Sequence, residues 1–184
     1  ITNPAFAPVQ TNALGLSNNN YYSLIPTLAD VDEDGDLDLF SGQLEGGIAY
    51  FENTGSSASP SFAQPVQEAF NIRTYYYGHN DFYYSAISFS DLDFDGDLDA
   101  ILSNNDQREI FYLENNGDEK NLQFKELITG PWTRLYDVDV HINNDVEALD
   151  MIDLNGDGVD DLITTSSSEL NYFENNPQHV NALF

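Results

Sequence analysis

The chain has 184 residues, of which 41% are hydrophobic and 13% aromatic, enough for one folded domain and too apolar for a disordered acidic segment. Asp and Glu number 32 against five Lys and Arg, and the formal net charge of −27 argues against nucleic acid or anionic membranes as partners. Cysteine is absent, which excludes disulfides and thiolate metal sites, and no apolar run approaches the ~20 residues of a membrane span.

Three landmarks recur along the chain in one order, about 60 residues apart. Each unit contains an Asp-rich segment, then a Tyr-x-Glu-Asn segment, then a Phe. The Asp-rich segments begin at Asp30, Asp91 and Asp153, the Tyr-x-Glu-Asn segments at Tyr50, Tyr112 and Tyr172, and the Phe residues are Phe62, Phe124 and Phe184. We therefore predict one domain over residues 1–184, built from repeat units of approximately residues 1–62, 63–124 and 125–184.

Within a unit, short apolar segments predict β-strands. In the second unit these segments cover residues 85–90, 98–102, 110–113 and 122–128, and clusters of Asn, Asp and Gly separate them. No window of a dozen residues shows the helical period. Four short strands in a unit of this length are typical of a β-propeller blade, so the predicted fold class is all-β, with three four-stranded units.

Each Asp-rich segment has the spacing of a metal-binding loop. Oxygen-bearing side chains stand at positions 1, 3, 5 and 9, and Gly at position 6 allows a sharp turn that lets the carbonyl of position 7 coordinate as well. The predicted ligands are Asp30, Asp32, Asp34, Asp36 and Asp38 in the first loop, Asp91, Asp93, Asp95, Asp97 and Asp99 in the second, and Asp153, Asn155, Asp157, Val159 and Asp161 in the third, where Asp36, Asp97 and Val159 act through their backbone carbonyls.

These ligand sets favour Ca²⁺, with three sites in the chain. Six or more hard oxygens without nitrogen or sulfur select Ca²⁺ over Zn²⁺, and Mg²⁺ rarely occupies an all-protein cage. A solvated acidic loop is the alternative for one such segment, but three in register, each with its Gly, argue against it. An EF-hand requires Glu at position 12, where this chain has Ser41, Leu102 and Thr164.

The pattern Asp-x-Asp/Asn-x-Asp-Gly-x-x-Asp, with strand-like segments on both sides, resembles the FG-GAP/VCBS repeat family. Residues 34–39, 47–55 and 60–62 are most similar to its bacterial VCBS-type branch. The resemblance implies calcium-binding blades of a seven-bladed propeller on an extracellular protein, with calcium in a structural role. Three units are fewer than the four to eight blades of usual propellers. We therefore expect a longer protein, assembly with other copies, or an open array, and favour the first.

Aromatic loops predict a binding surface at the end of the units opposite the Asp loops. The candidate ligand-binding residues, which also include Arg and His, are Tyr75, Tyr77, His79, Tyr83, Trp132 and Arg134. Such side chains suit stacking on a carbohydrate or contact with an extracellular protein. The alternative is that they pack between units.

No catalytic set emerges from the sequence, so we expect no enzyme activity. A Gly-x-Ser-x-Gly elbow is absent, and His79, His141 and His179 share no metal-ligand spacing. The sequence therefore predicts a secreted or cell-surface calcium-binding module for cell adhesion or for recognition of a glycan or protein ligand. The alternatives are a structural subunit of a surface assembly or filament, and a portion of a secreted polysaccharide-active enzyme.

Overall fold

The structure is a computed structural model that describes residues 8–11, 13–16, 25–42, 47–67, 69–72, 85–104, 109–118, 121–124, 146–166 and 168–175. Within these ranges the chain is built from β-strands and two short 3-10 turns, Ala13–Gly15 and Ala69–Asn71. None of the helices in this part of the chain is long and apolar enough to cross a membrane. The predicted all-β class is confirmed.

The strands form three antiparallel sheets. The first sheet contains β1 (Ile25–Ala29), β2 (Asp38–Gly42), β3 (Ile48–Phe51) and β4 (Val66–Gln67), in that order. The second contains β5 (Ser85–Ser90), β6 (Asp99–Asn104) and β7 (Glu109–Leu113), and the third contains β8 (Ala148–Ile152), β9 (Asp161–Thr165) and β10 (Leu170–Phe173). In each sheet, strands that follow one another in the chain are neighbours.

The strands predicted in the second unit agree with β5, β6 and β7 to within two residues at each end. A fourth strand is present in the first sheet, whereas the second and third sheets have three strands among the described residues. Of the segment predicted at 122–128, Phe124 forms an isolated antiparallel bridge with Asn115, and residues 125–128 lie outside the described ranges. The arrangement of the units as blades of a ring stays a prediction.

Every Asp-rich segment is the connection of a β-hairpin. The first joins β1 to β2, and the strand pairing resumes at its end with Asp38 opposite Ala29. Asp99 lies opposite Ser90 in the second hairpin, and Asp161 lies opposite Ile152 in the third. The last Asp of each segment is therefore also the first residue of the following strand.

Each sheet has two distinct faces, because side chains alternate along a strand. We call the side that carries the last Asp of the loop together with Tyr50, Tyr112 or Tyr172 the tyrosine face, and the other side the opposite face. On the tyrosine face of the first sheet, Tyr50 is paired across the strands with Phe40. The same register pairs Tyr112 with Ile101 and Tyr172 with Ile163.

The sheets stack so that a tyrosine face meets the opposite face of the next sheet. One buried cluster joins the tyrosine face of the first sheet, including Phe40 and Ile48, to the opposite face of the second, including Ile87, Leu102 and Phe111. A second cluster joins the tyrosine face of the second sheet to the opposite face of the third; it contains Ala86, Ile101, Ile110, Tyr112, Leu149, Met151 and Leu162. The second sheet is thus covered on both sides.

Hydrogen bonds connect the first strands of neighbouring sheets. The Thr27 hydroxyl in β1 donates to the Ile87 carbonyl in β5 over 2.6 Å. The Ser88 hydroxyl in β5 donates to Asp150 Oδ1 in β8 over 3.1 Å, and it accepts a hydrogen bond of 3.1 Å from the Met151 amide. Strands β1, β5 and β8 therefore form the line along which the three sheets approach each other.

Candidate metal centre

The Asp loops turn through two residues in the left-handed backbone region. In the first loop these are Glu33 at position 4, with φ of 51°, and Gly35 at position 6, with φ of 92°. Phe94 and Gly96 have the same roles in the second loop, with φ of 64° and 101°. The sequence predicted the turn at position 6, since Gly takes this conformation without steric cost. It did not predict the turn at position 4, where Glu and Phe are unfavourable.

The side chains at positions 1, 3 and 5 turn inward and accept hydrogen bonds from the backbone of their own loop. In the first loop the Gly35 amide donates to Asp30 Oδ2 over 3.1 Å, and the Asp36 amide donates to Asp34 Oδ1 over 3.0 Å. The second loop repeats both contacts, at 3.2 Å from Gly96 to Asp91 and 3.1 Å from Asp97 to Asp95. The alternating carboxylates therefore line the inside of the turn, as the spacing predicted.

Two carboxylate triads result from this geometry. Asp30, Asp32 and Asp34 each contribute an oxygen to a group in which all three atoms lie within 4.8 Å of one another, and Asp91, Asp93 and Asp95 form the same arrangement. Each pair of negative charges about 4 Å apart costs about 1 kcal/mol in water and about 4 kcal/mol near a protein surface. A bound cation would remove this repulsion, so both triads could hold a metal ion.

Unpartnered buried oxygens lie in the same two loops. Asp30 Oδ1 and Asp91 Oδ1 at position 1 are buried and have no hydrogen-bond partner, and the same is true of Asp36 Oδ1 and Asp97 Oδ1 at position 7. A buried acceptor without a partner costs about 1–3 kcal/mol, so native structures usually satisfy it. Because these atoms are anionic oxygens beside a carboxylate triad, the donor set fits a hard cation such as Ca²⁺.

The raised pKa values of the side chains at position 7 also favour a cation in these loops. Burial raises the pKa of Asp36 above its ordinary value, and the carboxylates of Asp34, Asp32 and Asp30 raise it further. The pKa of Asp97 is raised by burial and by the neighbouring acidic side chains of its own loop. The sequence predicted that position 7 contributes only its carbonyl, and the side chain of Asp36, which is 7% exposed, had no predicted role.

The last Asp of each loop is held by a Tyr and an Asn from the far side of the hairpin. Asp38 Oδ2 accepts from the Tyr50 hydroxyl over 2.9 Å, and Asp38 Oδ1 accepts from the backbone amide of Asn53 over 2.7 Å. In the second sheet the equivalent contacts to Asp99 are 3.0 Å from Tyr112 and 2.8 Å from Asn115.

The third sheet repeats the arrangement, with contacts to Asp161 of 2.8 Å from Tyr172 and 2.9 Å from Asn175. The hydroxyl donor explains the Tyr of the recurring Tyr-x-Glu-Asn segment, to which sequence analysis assigned no function, whereas the Asn donates here through its backbone amide. The recurrence of this segment one hairpin after each Asp loop was the signal that could have revealed the role. Whether Asp38, Asp99 and Asp161 also bind the metal stays a prediction.

The Asn of this segment also closes the next turn. Asn53 Oδ1 accepts from the Gly55 amide over 3.1 Å and from the Ser61 amide over 2.9 Å. Asn115 Oδ1 accepts in the same way from the amides of Gly117 and Gln123, both over 2.9 Å. Each Asp loop is therefore connected through one carboxylate and one Asn to the chain that follows the third strand.

Burial dominates the ionisation of the last Asp in the first two loops. It raises the pKa of Asp38 to about 6, although hydrogen bonds from Asn53 and Tyr50 act in the other direction. Burial likewise raises the pKa of Asp99 to about 6. Burial and the neighbouring carboxylate raise the pKa of Tyr50, so this hydroxyl remains a hydrogen-bond donor throughout the physiological range.

Comparison with known families assigns this part of the chain. Residues 30–102 match the family model of the FG-GAP-like repeat. These residues form an FG-GAP-like repeat. The family predicted from the Asp loops is thereby confirmed. No curated protein matches the chain at a significant level. The FG-GAP-like repeat begins at the first Asp of the first loop and includes both carboxylate triads, and repeats of this type suggest a module of the β-propeller type.

The third Asp loop lies outside the FG-GAP-like repeat and satisfies its own oxygens. Asp153 Oδ1 accepts from the amides of Gly156 and Asp157, over 2.7 and 3.1 Å. The Asn155 amide group donates to Asp157 Oδ2 over 3.0 Å, where the first two loops have a second carboxylate. Position 4 is Gly156, with φ of 81°, so the turn carries no unfavourable side chain there. A metal ion at this loop, with Val159 as a carbonyl ligand, stays a prediction.

The last Asp of the third loop also has a different pKa. Burial acts against its ionisation, but hydrogen bonds from Asn175, Tyr172, Leu154 and Asn155 together hold the pKa of Asp161 below its ordinary value. The hydrogen bond to Asp161 and burial raise the pKa of Tyr172 to about 12. The third loop is thus stabilised by hydrogen bonds to both carboxylate oxygens of its first residue, Asp153, whereas Oδ1 of Asp30 and of Asp91 has no partner in the first two loops.

The predicted ligand-binding loops fall outside the described part of the structure. Tyr75, Tyr77, His79, Tyr83, Trp132 and Arg134 all lie in residues 73–84 and 125–145. Their prediction as a binding surface at the end of the units opposite the Asp loops is therefore untested.

Proposed function

We propose that this protein is an extracellular calcium-binding module of the β-propeller type that serves adhesion or recognition of a glycan or protein ligand. The observation that supports it best is the pair of buried, unpartnered oxygens, Asp30 Oδ1 and Asp91 Oδ1, each on the first residue of a carboxylate triad. A divalent cation would supply the missing partner and neutralise the repulsion in one step.

The chemistry of the loops favours Ca²⁺ among divalent cations. Asp side chains and backbone carbonyls offer only hard oxygens, and a hairpin loop can adapt to the irregular coordination that Ca²⁺ accepts and Mg²⁺ does not. The side chains at positions 3 and 5 would bind the ion together with the one at position 1. They are Asp32 and Asp34 in the first loop and Asp93 and Asp95 in the second. The bound ion would supply positive charge and fixed coordination to the turn.

Calcium has a structural role in this proposal. The loop continues directly into β2, and Asp38 at the junction accepts hydrogen bonds from Tyr50 and Asn53. An ordered loop therefore holds the end of the β2–β3 hairpin in place. At a secreted or cell-surface location, even sites with dissociation constants of about 10⁻⁴–10⁻³ M, the range of extracellular calcium-binding modules, would serve this role.

The recognition role rests on the aromatic loops of the sequence. Tyr75, Tyr77 and Trp132 offer flat apolar surfaces for a sugar ring or an apolar side chain, and Arg134 and His79 offer hydrogen-bond donors. The proposal assigns these residues a binding function and no catalytic one. A glycan array probed with the wild-type chain and with Trp132→Ala tests it, since a bound glycan that tolerates this change at full strength would contradict the assignment.

Calcium binding itself is tested by titration of chelator-treated protein with Ca²⁺ and Mg²⁺ in a calorimeter, with thermal unfolding recorded in parallel. We expect saturable heat with Ca²⁺, a higher melting temperature when it is bound, and a weaker response to Mg²⁺. Absence of Ca²⁺ heat together with an unchanged melting temperature would refute the calcium proposal and would leave the fold assignment intact.

A structural subunit of a surface assembly is the second candidate function. It is favoured by the third sheet, where Leu170 on the tyrosine face is 74% exposed and Leu154 in the adjoining loop is 60% exposed. Large apolar side chains on one sheet face are unusual on a soluble surface unless another molecule covers them. Defined oligomers in native mass spectrometry, without a small ligand or glycan, would support this candidate over recognition.

A further inference from the structure

The tyrosine face of the third sheet is exposed where its equivalents are buried. Leu170 is 74% exposed and Tyr172 is 45% exposed. In the second sheet the residues at these positions are Ile110 and Tyr112, which are 6% and 9% exposed because the third sheet covers them. Ile152, on the same face of the third sheet, is 47% exposed. Among the described residues, no further sheet lies over this face.

The same chain shows twice what packs on a tyrosine face. The tyrosine face of the first sheet receives the opposite face of the second, and the tyrosine face of the second receives the opposite face of the third. In both contacts the sheet that packs on the tyrosine face contributes residues of its first strand. These are Ile87 of β5 in one contact, and Leu149 and Met151 of β8 in the other. The partner that fits the third tyrosine face is therefore the opposite face of another sheet of this type.

The first sheet offers such a face at the other end of the stack. On β1, Leu28 is 55% exposed and Pro26 is exposed, although the residues at the equivalent positions of β8, Met151 and Leu149, are 9% and 8% exposed. Ala49, on β3 of the same opposite face, is already buried. The most exposed apolar side chains of this face are therefore on its first strand, β1.

We propose that two copies of this chain associate head to tail, with the tyrosine face of the third sheet of one copy packed against β1 of the next. The contact would continue the sheet-on-sheet stacking that already occurs twice within the chain, and it would bury Leu170 and Ile152 of one copy against Leu28 of the other. Because the two surfaces differ, the interaction is heterologous and leads to a closed ring or a longer array. This inference is independent of calcium binding and of any ligand.

The charge of the chain predicts how salt affects this association. Each copy has a formal net charge of −27, so copies repel one another at low ionic strength. Screening weakens that repulsion, because the Debye length falls from about 10 Å at 0.1 M to about 3 Å at 1 M salt. Association through apolar side chains should therefore strengthen as salt is added, whereas association through ion pairs would weaken.

The test is sedimentation velocity of the full chain in calcium-containing buffer, over a range of concentrations and at two salt concentrations. We expect the mean mass to rise with protein concentration and with salt. Leu170→Glu and Leu28→Glu should each weaken association by about tenfold or more, since each places a charge in the contact. Val9→Glu is the control, because Val9 is 90% exposed and lies outside the sheets.

A mixing experiment determines the geometry of the contact. The Leu170→Glu chain keeps an intact β1 surface and the Leu28→Glu chain keeps an intact tyrosine face, so an equimolar mixture should form a dimer that neither variant forms alone. Circular dichroism confirms that each variant is folded. A wild-type chain that stays monomeric under all conditions overturns the proposal, and so does association that persists in both variants. Loss in Leu170→Glu alone would indicate pairing of two third sheets and would overturn the head-to-tail arrangement.

Discussion

The Tyr112 hydroxyl donates a hydrogen bond of 3.0 Å to Asp99 Oδ2, and this contact joins the end of β7 to the last residue of the second Asp loop. Asp99 is 1% exposed, so its carboxylate depends on protein donors, which are Tyr112, Asn115 and Leu92. The same pairing of Tyr and Asp recurs in the first and third sheets. The last residue of the Asp loop and the third strand are thus linked through one carboxylate.

Replacement of this tyrosine with Phe should therefore lower the free energy of unfolding, by an amount that depends on how deeply the hydroxyl is buried. Tyr112→Phe removes one donor from a carboxylate in the core, and we expect it to lower the free energy of unfolding by about 1.5–3 kcal/mol. Tyr172→Phe is the matched control. Because Tyr172 is 45% exposed, water can replace its hydroxyl, and we expect a loss below about 1 kcal/mol. Urea unfolding in the presence of calcium measures both, and equal losses would contradict the role of burial.

The first and second Asp loops should bind calcium more tightly than the third, and we call these two the tight sites. Asp91→Asn removes charge from a triad and from a residue whose Oδ1 has no partner, so we expect it to weaken one tight site by about tenfold or more. Asp153→Asn alters the loop whose oxygens already accept backbone hydrogen bonds, and we expect it to leave the two tight sites unchanged. Calorimetric titration of both variants measures this, and three indistinguishable sites in the wild-type chain would contradict the prediction.

Without calcium, the stability of the protein should fall as the pH rises from about 4 to about 6. The pKa values of Asp38 and Asp99 are raised to about 6 in the folded state, above their ordinary value of 3.8. The folded protein therefore binds protons more tightly than the unfolded chain, and ionisation of each group destabilises the fold as the pH passes through this range. After solvent screening, we expect a loss on the order of 1 kcal/mol per group.

The third loop should contribute to pH dependence with the opposite sign. The lowered pKa of Asp161 gives stability that is present above the ordinary pKa of the group and lost as the pH falls through its folded value. Unfolding by urea at several pH values, with and without calcium, separates the effects. Calcium should abolish the fall between pH 4 and 6, and an apo protein whose stability rises over this range would disagree with the assignment of Asp38 and Asp99.

Position 4 of the Asp loops offers a test of backbone strain. Phe94 has φ of 64° and is 47% exposed, so Phe94→Gly should relieve strain and raise the free energy of unfolding by about 1 kcal/mol. Gly156 occupies the same position in the third loop, with open space around it but with φ of 81°, and Gly156→Ala should lower stability by about 1–2 kcal/mol. Thermal unfolding in saturating calcium measures both, and changes of the same sign would show that the loops differ in conformation.

Much of this architecture was predictable from local pattern. The strand Ser85–Ser90 follows from a short apolar segment that runs into an Asp-Gly turn, and the inward carboxylates of Asp30, Asp32 and Asp34 follow from their alternation. These features depend on residues that are close in sequence. The turn at position 6 was predictable for the same reason, because Gly is the residue that a left-handed conformation favours.

The remaining features depend on contacts across a hairpin or between sheets. The Tyr-to-Asp hydrogen bond spans 12 residues in the first sheet, 13 in the second and 11 in the third, so its only signal in the sequence is that the Tyr-x-Glu-Asn segment recurs after each Asp loop. The left-handed φ of Glu33 contradicts the local preference of the residue, and the surrounding loop determines it. Periodicity identifies strands but not the order in which sheets stack, so the exposed face around Leu170 was not predictable.

Ser88 has a consequence for how the molecule denatures. Its single hydroxyl is a donor to Asp150 and an acceptor from the Met151 amide, and both contacts cross from the second sheet to the third. Stacked units can melt one at a time when the contacts between them are weak. Here a cluster of apolar side chains and this two-way contact join the same pair of sheets, so these two sheets are expected to melt in a single calorimetric transition.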